Sequence, residues 1–320
     1  LNIIFSGGIQ VFKKYNICKI VLCSFLISSF MFIFTGCNSK STETANTTSQ
    51  SKIKVVVSFN AMKEFASAIG KDKIAITTII PNGTEPHDFE PTTESLKDLS
   101  SASIFIYNGL GMESWTDKVL KSIDNKNLVV VNASKGSNPI KNTDTEEIKE
   151  HGQYDPHLWI SLKGAEVESK NIKDALVKVD PSNKEFYEKN YSEFSKQLNS
   201  LYNEYTQKFK TVKNKNFVTG HAAFAYLCRD YDLNQNSVEN VFAEGEPSTK
   251  KLKELVDYCK QNKITTIFME DMVSTKVSTT LANEIGAKVE KIYTLESKED
   301  NKDYIESMKN NLETIYTSLK

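Results

Sequence analysis

The 320-residue chain sets 40 basic against 41 acidic side chains, a formal net charge of −1 that excludes the basic footprint of a nucleic-acid-binding protein. Its 39% hydrophobic residues supply apolar material for a buried core, and its histidines number only four. Imidazoles that scarce do no general electrostatic work, so each one set in a Pro, Gly or aromatic turn calls for a chemical reason.

Lys13, Lys14 and Lys19 precede an apolar run from Ile20 to Phe34 that ends in Phe34-Thr35-Gly36-Cys37. Charged region, hydrophobic region and small-residue cleavage site follow the order of a secretory signal, and the run is too short for a stable membrane span. Cys37 directly after Thr35-Gly36 resembles a bacterial lipobox, which implies acylation of its thiol. The expectation is a signal peptide over 1–36, then a polar Ser/Thr/Asn tether over 37–52 that holds an extracytoplasmic protein to the cell membrane through lipid on Cys37. Cys18 and Cys23 leave with the signal. A disulfide between Cys228 and Cys259 is allowed by the compartment and left open by the spacing.

From residue 53 the pattern alternates. IKVVVSF is a β-branched run, AMKEFASAIG is helical, IAITTII at 74–80 is a strand, TESLKDLSSA is helical, and SIFIYN at 103–108 is a strand. The helical MESWTDKVLKSI and the strand NLVVV continue the series. A second set starts at Asn216: strand NFVTG, helical HAAFAYLCRDY opened by His221, a strand near SVENVF, helical PSTKKLKELVDYCKQN, strand ITTIFM, helical TKVSTTLANEIG, strand AKVEKIYT and a last helix YIESMKNNLETIYTSLK. Repeated βα order predicts parallel sheets covered by helices.

Between the sets, Phe186, Tyr187, Tyr191, Phe194, Leu198, Leu201, Tyr202, Tyr205 and Phe209 recur mostly at steps of three and four. The spacing predicts one amphipathic helix from Pro181 to about Val212, roughly 45 Å long, with Asp180 as its cap and Pro181 in its first turn. The fold class is therefore α/β: two Rossmann-like lobes, each a mostly parallel sheet with flanking helices, over 53–180 and 213–320, joined by one rigid helix over 181–212.

Three histidines fall where ligands bind in such folds, in loops at the carboxyl ends of strands. His87 lies in PNGTEPHDFEPT, His157 in YDPHLWISL and His221 in FVTGHAAFAYL. A cleft between the lobes would gather them. A fourth donor is needed, and both Glu296 in IYTLES and Glu270 in IFMEDM follow strands; Glu296 is favoured and Glu270 stays open. Three imidazoles and one carboxylate suit Zn²⁺, whereas Mn²⁺ prefers more oxygen. Glu270, Asp155, Glu85, Asp88 and Glu90 are candidates to orient imidazole N–H groups, and Trp159 is expected as a wall of the cleft. His151, beside Glu146, Glu147 and Glu150, reads as a solvated loop residue rather than a metal collector.

HDFEPTTESL, DPHLWISL, GHAAFAYL, FMED and IYTLES together resemble the metal-binding receptor lipoproteins of bacterial zinc and manganese ABC importers, over about 53–320. That resemblance implies a metal between two lobes, held by His87, His157, His221 and the carboxylate matched by Glu296. Manganese-selective members typically place a carboxylate where this chain has His221, so the resemblance points to zinc. It implies a monomeric receptor that delivers Zn²⁺ to an ABC permease in the membrane, with a manganese receptor of the same family as the alternative. An adhesin and a zinc hydrolase are the other classes; no HExxH pair, G-x-S-x-G elbow or Gly-rich phosphate loop supports catalysis.

Overall fold

A computed structural model describes residues 51–143, 148–149, 152–241, 243, 247–271 and 275–320. The signal segment, Cys37, most of the tether and His151 lie outside these residues.

Two four-stranded parallel sheets form the frame. The first comprises β1 (Ile53–Val57), β2 (Ile74–Thr78), β3 (Ile104–Tyr107) and β4 (Val129–Asn132) in the order β2-β1-β3-β4. The second comprises β5 (Asn216–Thr219), β6 (Asn234–Ser237), β7 (Thr266–Met269) and β8 (Lys288–Lys291) in the order β6-β5-β7-β8, the same topology again. Each order reverses beside its central strand, which opens a crevice at the carboxyl ends of the strands. The strand expected near SVENVF sits earlier, at β6, where Asn234–Ser237 pair with Asn216–Thr219. Asp232, in the left-handed conformation at φ 55°, ends the preceding helix early enough for that pairing.

Helices α1 (Asn60–Gly70), α2 (Thr93–Ser101), α3 (Thr116–Ser122) and α4 (Leu162–Val179) belong to the first half of the chain. The connector α5 is Lys184–Phe209, 26 residues or about 39 Å, shorter than the expected span. Pro181–Asn183 form a separate 3₁₀ turn. Asp180 does not cap the helix backbone; its carboxylate instead accepts from the Ser182 hydroxyl, the Asn183 amide and the Tyr187 hydroxyl at 2.5, 2.6 and 2.9 Å. Among the described residues, helices α6 (Ala225–Tyr231), α7 (Thr249–Gln261), α8 (Thr275–Ile285) and α9 (Tyr304–Ser318) follow in the second half of the chain.

One apolar core runs from the first sheet through α5 into the inner face of the second, because successive β5 residues face opposite sides: Phe217 joins the large core and Val218 a smaller outer one. Along α5, Phe194 meets Phe65 at 6.0 Å between centroids, while Phe209 meets Tyr231 at 5.1 Å and Tyr316 at 6.0 Å. Helix α9 also returns to the first lobe: Tyr304 packs on Phe65 at 4.8 Å and its hydroxyl donates to the Trp159 carbonyl at 2.7 Å. Cys228 and Cys259 are free thiols divided between the two cores, so the disulfide left open by spacing is not formed. Burial pushes the Cys259 thiol up to about 11.

Candidate metal centre

Four loops converge between the sheets. His87 lies between β2 and α2, His157 between β4 and α4, His221 beyond β5, and Glu296 beyond β8. His221 does not open α6 as expected; Ala222, Ala223 and Phe224 intervene, and the helix begins at Ala225. The reason is local. The His221 carbonyl accepts from the Thr219 hydroxyl at 2.6 Å and the Gln235 amide at 2.8 Å, while its N–H donates to Glu270 Oε1 at 3.3 Å, so its backbone is spent on tertiary bonds.

All four side chains are buried, and one donor atom from each lies within 4.8 Å of the others. Glu296 Oε1 faces Nε2 of His157 at 3.7 Å, of His87 at 3.9 Å and of His221 at 4.0 Å, while the Nε2 atoms of His157 and His221 stand 3.4 Å apart. A tetrahedral zinc ion with bonds near 2.0–2.1 Å puts its donors about 3.3 Å apart. The cluster has that size with slight slack. Glu296 Oε1 accepts no hydrogen bond among the described residues although it is buried, a costly arrangement unless a cation faces it.

The outer edges of His157, His221 and Glu296 each face a polar partner. Asp155 Oδ1 receives both the His157 backbone N–H at 2.8 Å and its Nδ1 at 2.9 Å, which selects the tautomer with the Nε2 lone pair turned inward. Glu270 Oε1 lies 3.6 Å from His221 Nδ1, outside the cluster and behind the ring. Thr294 Oγ1 donates to Glu296 Oε2 at 2.8 Å, and Glu85 Oε1 receives the His87 N–H at 3.2 Å. In each loop the residue two before the donor holds it: Glu85, Asp155, Thr219 and Thr294. Of the five carboxylates expected to orient imidazole N–H groups, Asp155 meets a ring nitrogen at hydrogen-bond distance, while Glu85 holds the His87 backbone N–H instead; the two threonines were not expected, although the repeated spacing of an oxygen-bearing side chain two residues upstream was there to be seen.

Trp159 is a wall, as expected, and also a tie. Its ring lies 5.2 Å from that of His157 and its indole N–H donates to the Thr294 carbonyl at 2.7 Å. Gly164 lets the first turn of α4 approach this corner: a Cβ there would stand 2.1 Å from the Leu158 carbonyl oxygen.

The electrostatics fit a cation. Burial alone would push the His157 imidazole toward neutrality, but Asp155 and Glu296 outweigh it and raise it to about 9. His221 is also raised, with burial opposing and Glu270 and then Glu296 favouring the charged form. Burial would lift the Glu296 carboxyl, yet His157, His221 and His87 hold it down at about 2. Glu85 runs the other way: burial and the Glu296 charge lift it to about 7. Near neutral pH the His157 ring therefore favours its charged form.

Residues 55–318 match the family described as ZnuA, the periplasmic component A of a zinc-uptake complex. A candidate metal-binding protein of Treponema pallidum (strain Nichols) is 43% identical over 273 residues, 83% of this chain and 86% of that one. The high-affinity zinc uptake system protein ZnuA of Bacillus subtilis (strain 168) is 38% identical over 308 residues, 92% of this chain and 96% of that one. Among solved structures, the laminin binding protein Lmb of Streptococcus agalactiae, described as bifunctional with adhesin and metal transporting activity, superposes with a TM-score of 0.77 at 34% identity, covering 84% of this chain and all of that one. A family match running almost from β1 to the end of α9, with relatives this similar over most of the sequence, makes this chain a member of the ZnuA family of zinc-uptake components.

Proposed function

We propose that this chain is an extracytoplasmic, high-affinity receptor that binds one Zn²⁺ through His87, His157, His221 and Glu296 and delivers it to an ABC permease. The observation that carries the reading is the buried meeting of these four donors from four separate loops. Three neutral imidazoles and one carboxylate leave a single positive charge on the bound ion, and their nitrogen content favours zinc over manganese. The B. subtilis relative named for zinc uptake supports the same choice. Four side-chain donors fill a tetrahedron and leave no position for a reactive water, so the reading assigns capture and transport rather than catalysis. Lobes over 53–180 and 213–320 with the connector 181–212 form the receptor, and lipid on Cys37 with the tether 37–52 keeps this monomer beside the permease.

Elemental analysis of metal-stripped protein offered equal zinc and manganese tests this. One zinc per chain, lost in the His87/His157/His221 triple alanine variant, is expected; retention of manganese instead refutes the selectivity, and no metal refutes the receptor. A second activity, binding of an extracellular matrix protein, is favoured by the likeness to laminin-binding proteins such as Lmb. Laminin capture by surface-immobilised protein tests it separately.

A further inference from the structure

Glu296 belongs by sequence to the second half of the chain, yet the loop that carries it is gripped by the first. Asn60, the first residue of α1 and 3% exposed, holds three consecutive carbonyls: its side-chain amide donates to Leu295 O at 3.3 Å and Ser297 O at 3.1 Å, and its backbone N–H to Glu296 O at 3.3 Å. Two carbonyl acceptors fix which end of the amide is the NH₂ group. A helix N-terminal N–H otherwise lacks a partner, so α1 places its first donor on this loop. The loop needs the grip. Leu295 sits at φ 63°, a left-handed conformation unfavourable for a bulky side chain, directly before Glu296, whose Oε1 lies within 4.0 Å of the three histidine Nε2 atoms. Further ties join the same loop to the segment before His87: Gly83 N–H donates to Ser297 Oγ at 2.9 Å, and the Lys298 N–H to Asn82 Oδ1 at 3.1 Å.

We infer that Asn60 is a positioning residue for metal capture, acting through Glu296: it locks the strained 295–297 turn to the first lobe and so completes the coordination sphere. The inference rests on the zinc-receptor reading. Its consequence is that the fourth donor is set by a residue outside the metal's reach, and that release of the ion is governed by the bonds between α1 and this turn.

The test is a double-mutant cycle of Asn60→Ala and Glu296→Ala in the full chain, read as zinc affinity by chelator competition and as zinc release rate. Asn60→Ala is expected to weaken zinc binding by about 10–100-fold, the range for groups that orient ligands, and to speed release. In the Glu296→Ala background, where three imidazoles remain, the same change should cost less than about twofold, because coupled residues are not additive. The visible spectrum of the Co²⁺-loaded Asn60→Ala protein should also shift toward that of Glu296→Ala, which a general loss of stability would not produce. Equal losses in both backgrounds, or no loss in the first, overturn the inference while leaving the receptor intact. Wild-type protein that retains no zinc overturns both. If Asn60→Ala does not fold, Ser297→Ala, which removes the hydroxyl that accepts from the Gly83 N–H, enters the same cycle with the same expected non-additivity, and additivity there is equally fatal.

Discussion

Asp155→Asn separates two things that Asp155 does to His157. The wild-type carboxylate orients the ring through Nδ1 at 2.9 Å and, with Glu296, raises the imidazole to about 9 against the effect of burial. At pH 7.5 such a group is protonated in all but a few per cent of ion-free molecules, so zinc must displace a proton, at a cost of about thirtyfold in apparent affinity. Wild-type affinity should therefore climb by nearly tenfold between about pH 7 and 8 and by about fivefold more toward pH 9. Asparagine keeps an acceptor oxygen for the ring but removes the charge, so burial pulls the imidazole back toward neutrality and the climb flattens. The less basic, less firmly oriented ligand should bind zinc about 10–100-fold more weakly once both proteins are deprotonated. The two effects offset near neutrality. The variant is expected to lie within about tenfold of wild type at pH 7 and to fall well behind at pH 9, measured by competition with a chelator of known pH dependence. Calorimetry in buffers of different ionisation enthalpy should show fewer protons released by the variant. Parallel affinity curves for the two proteins would refute the claim that Asp155 holds a proton on His157.

The ion-free protein should show the reverse pH dependence in its own stability. A folded-state imidazole raised from 6.5 to about 9 contributes stability that is complete below about 6.5 and lost as pH climbs through about 9, on the order of 3 kcal/mol for His157, and thermal melts of stripped protein across that window check it. Glu296, depressed from 4.5 to about 2, gives stability that is complete above about 4.5 and lost on acidification toward about 2, visible in the acid limb of the same melts. Glu296→Ala should weaken zinc binding at least about tenfold more than Glu270→Ala, since direct donors outweigh the groups behind them; chelator competition giving the opposite order would exchange their roles. His151→Ala should leave affinity within about twofold in the same assay, and a large loss would make it a ligand. Gly164→Ala forces a Cβ against the Leu158 carbonyl and should cost about 1–3 kcal/mol in urea melts, with zinc affinity falling as the His157 corner shifts.

The architecture was legible because its signals are local. β-branched runs such as Ile53–Val57 and the aromatic stripe of α5 write their periodicity into a few consecutive residues, and the core pairs those elements as their apolar faces demand. What stayed hidden depends on partners distant in sequence. His221 followed by Ala-Ala-Phe-Ala reads as helical, but Gln235, Glu270 and Thr219 take its backbone groups, and the helix waits four residues. Tyr304 reads as the start of a helix of the second lobe, yet its hydroxyl and ring belong to Trp159 and Phe65 of the first.

The site divides along the same line. Histidines in turns at strand ends announce themselves, because few other tasks need them there. Carboxylates do not, since Glu270 and Glu296 both follow strands and both are buried at the centre. What separates them is which histidine edge each one meets. Glu270 approaches the outer Nδ1 of His221 at 3.6 Å, whereas Glu296 meets three Nε2 atoms at once. That difference follows from the Leu295 turn and the grip of Asn60 some 235 residues earlier, a long-range contact with no local signature. The donors of this centre are thus a local property of four short segments, while their convergence is a property of the bonds between lobes.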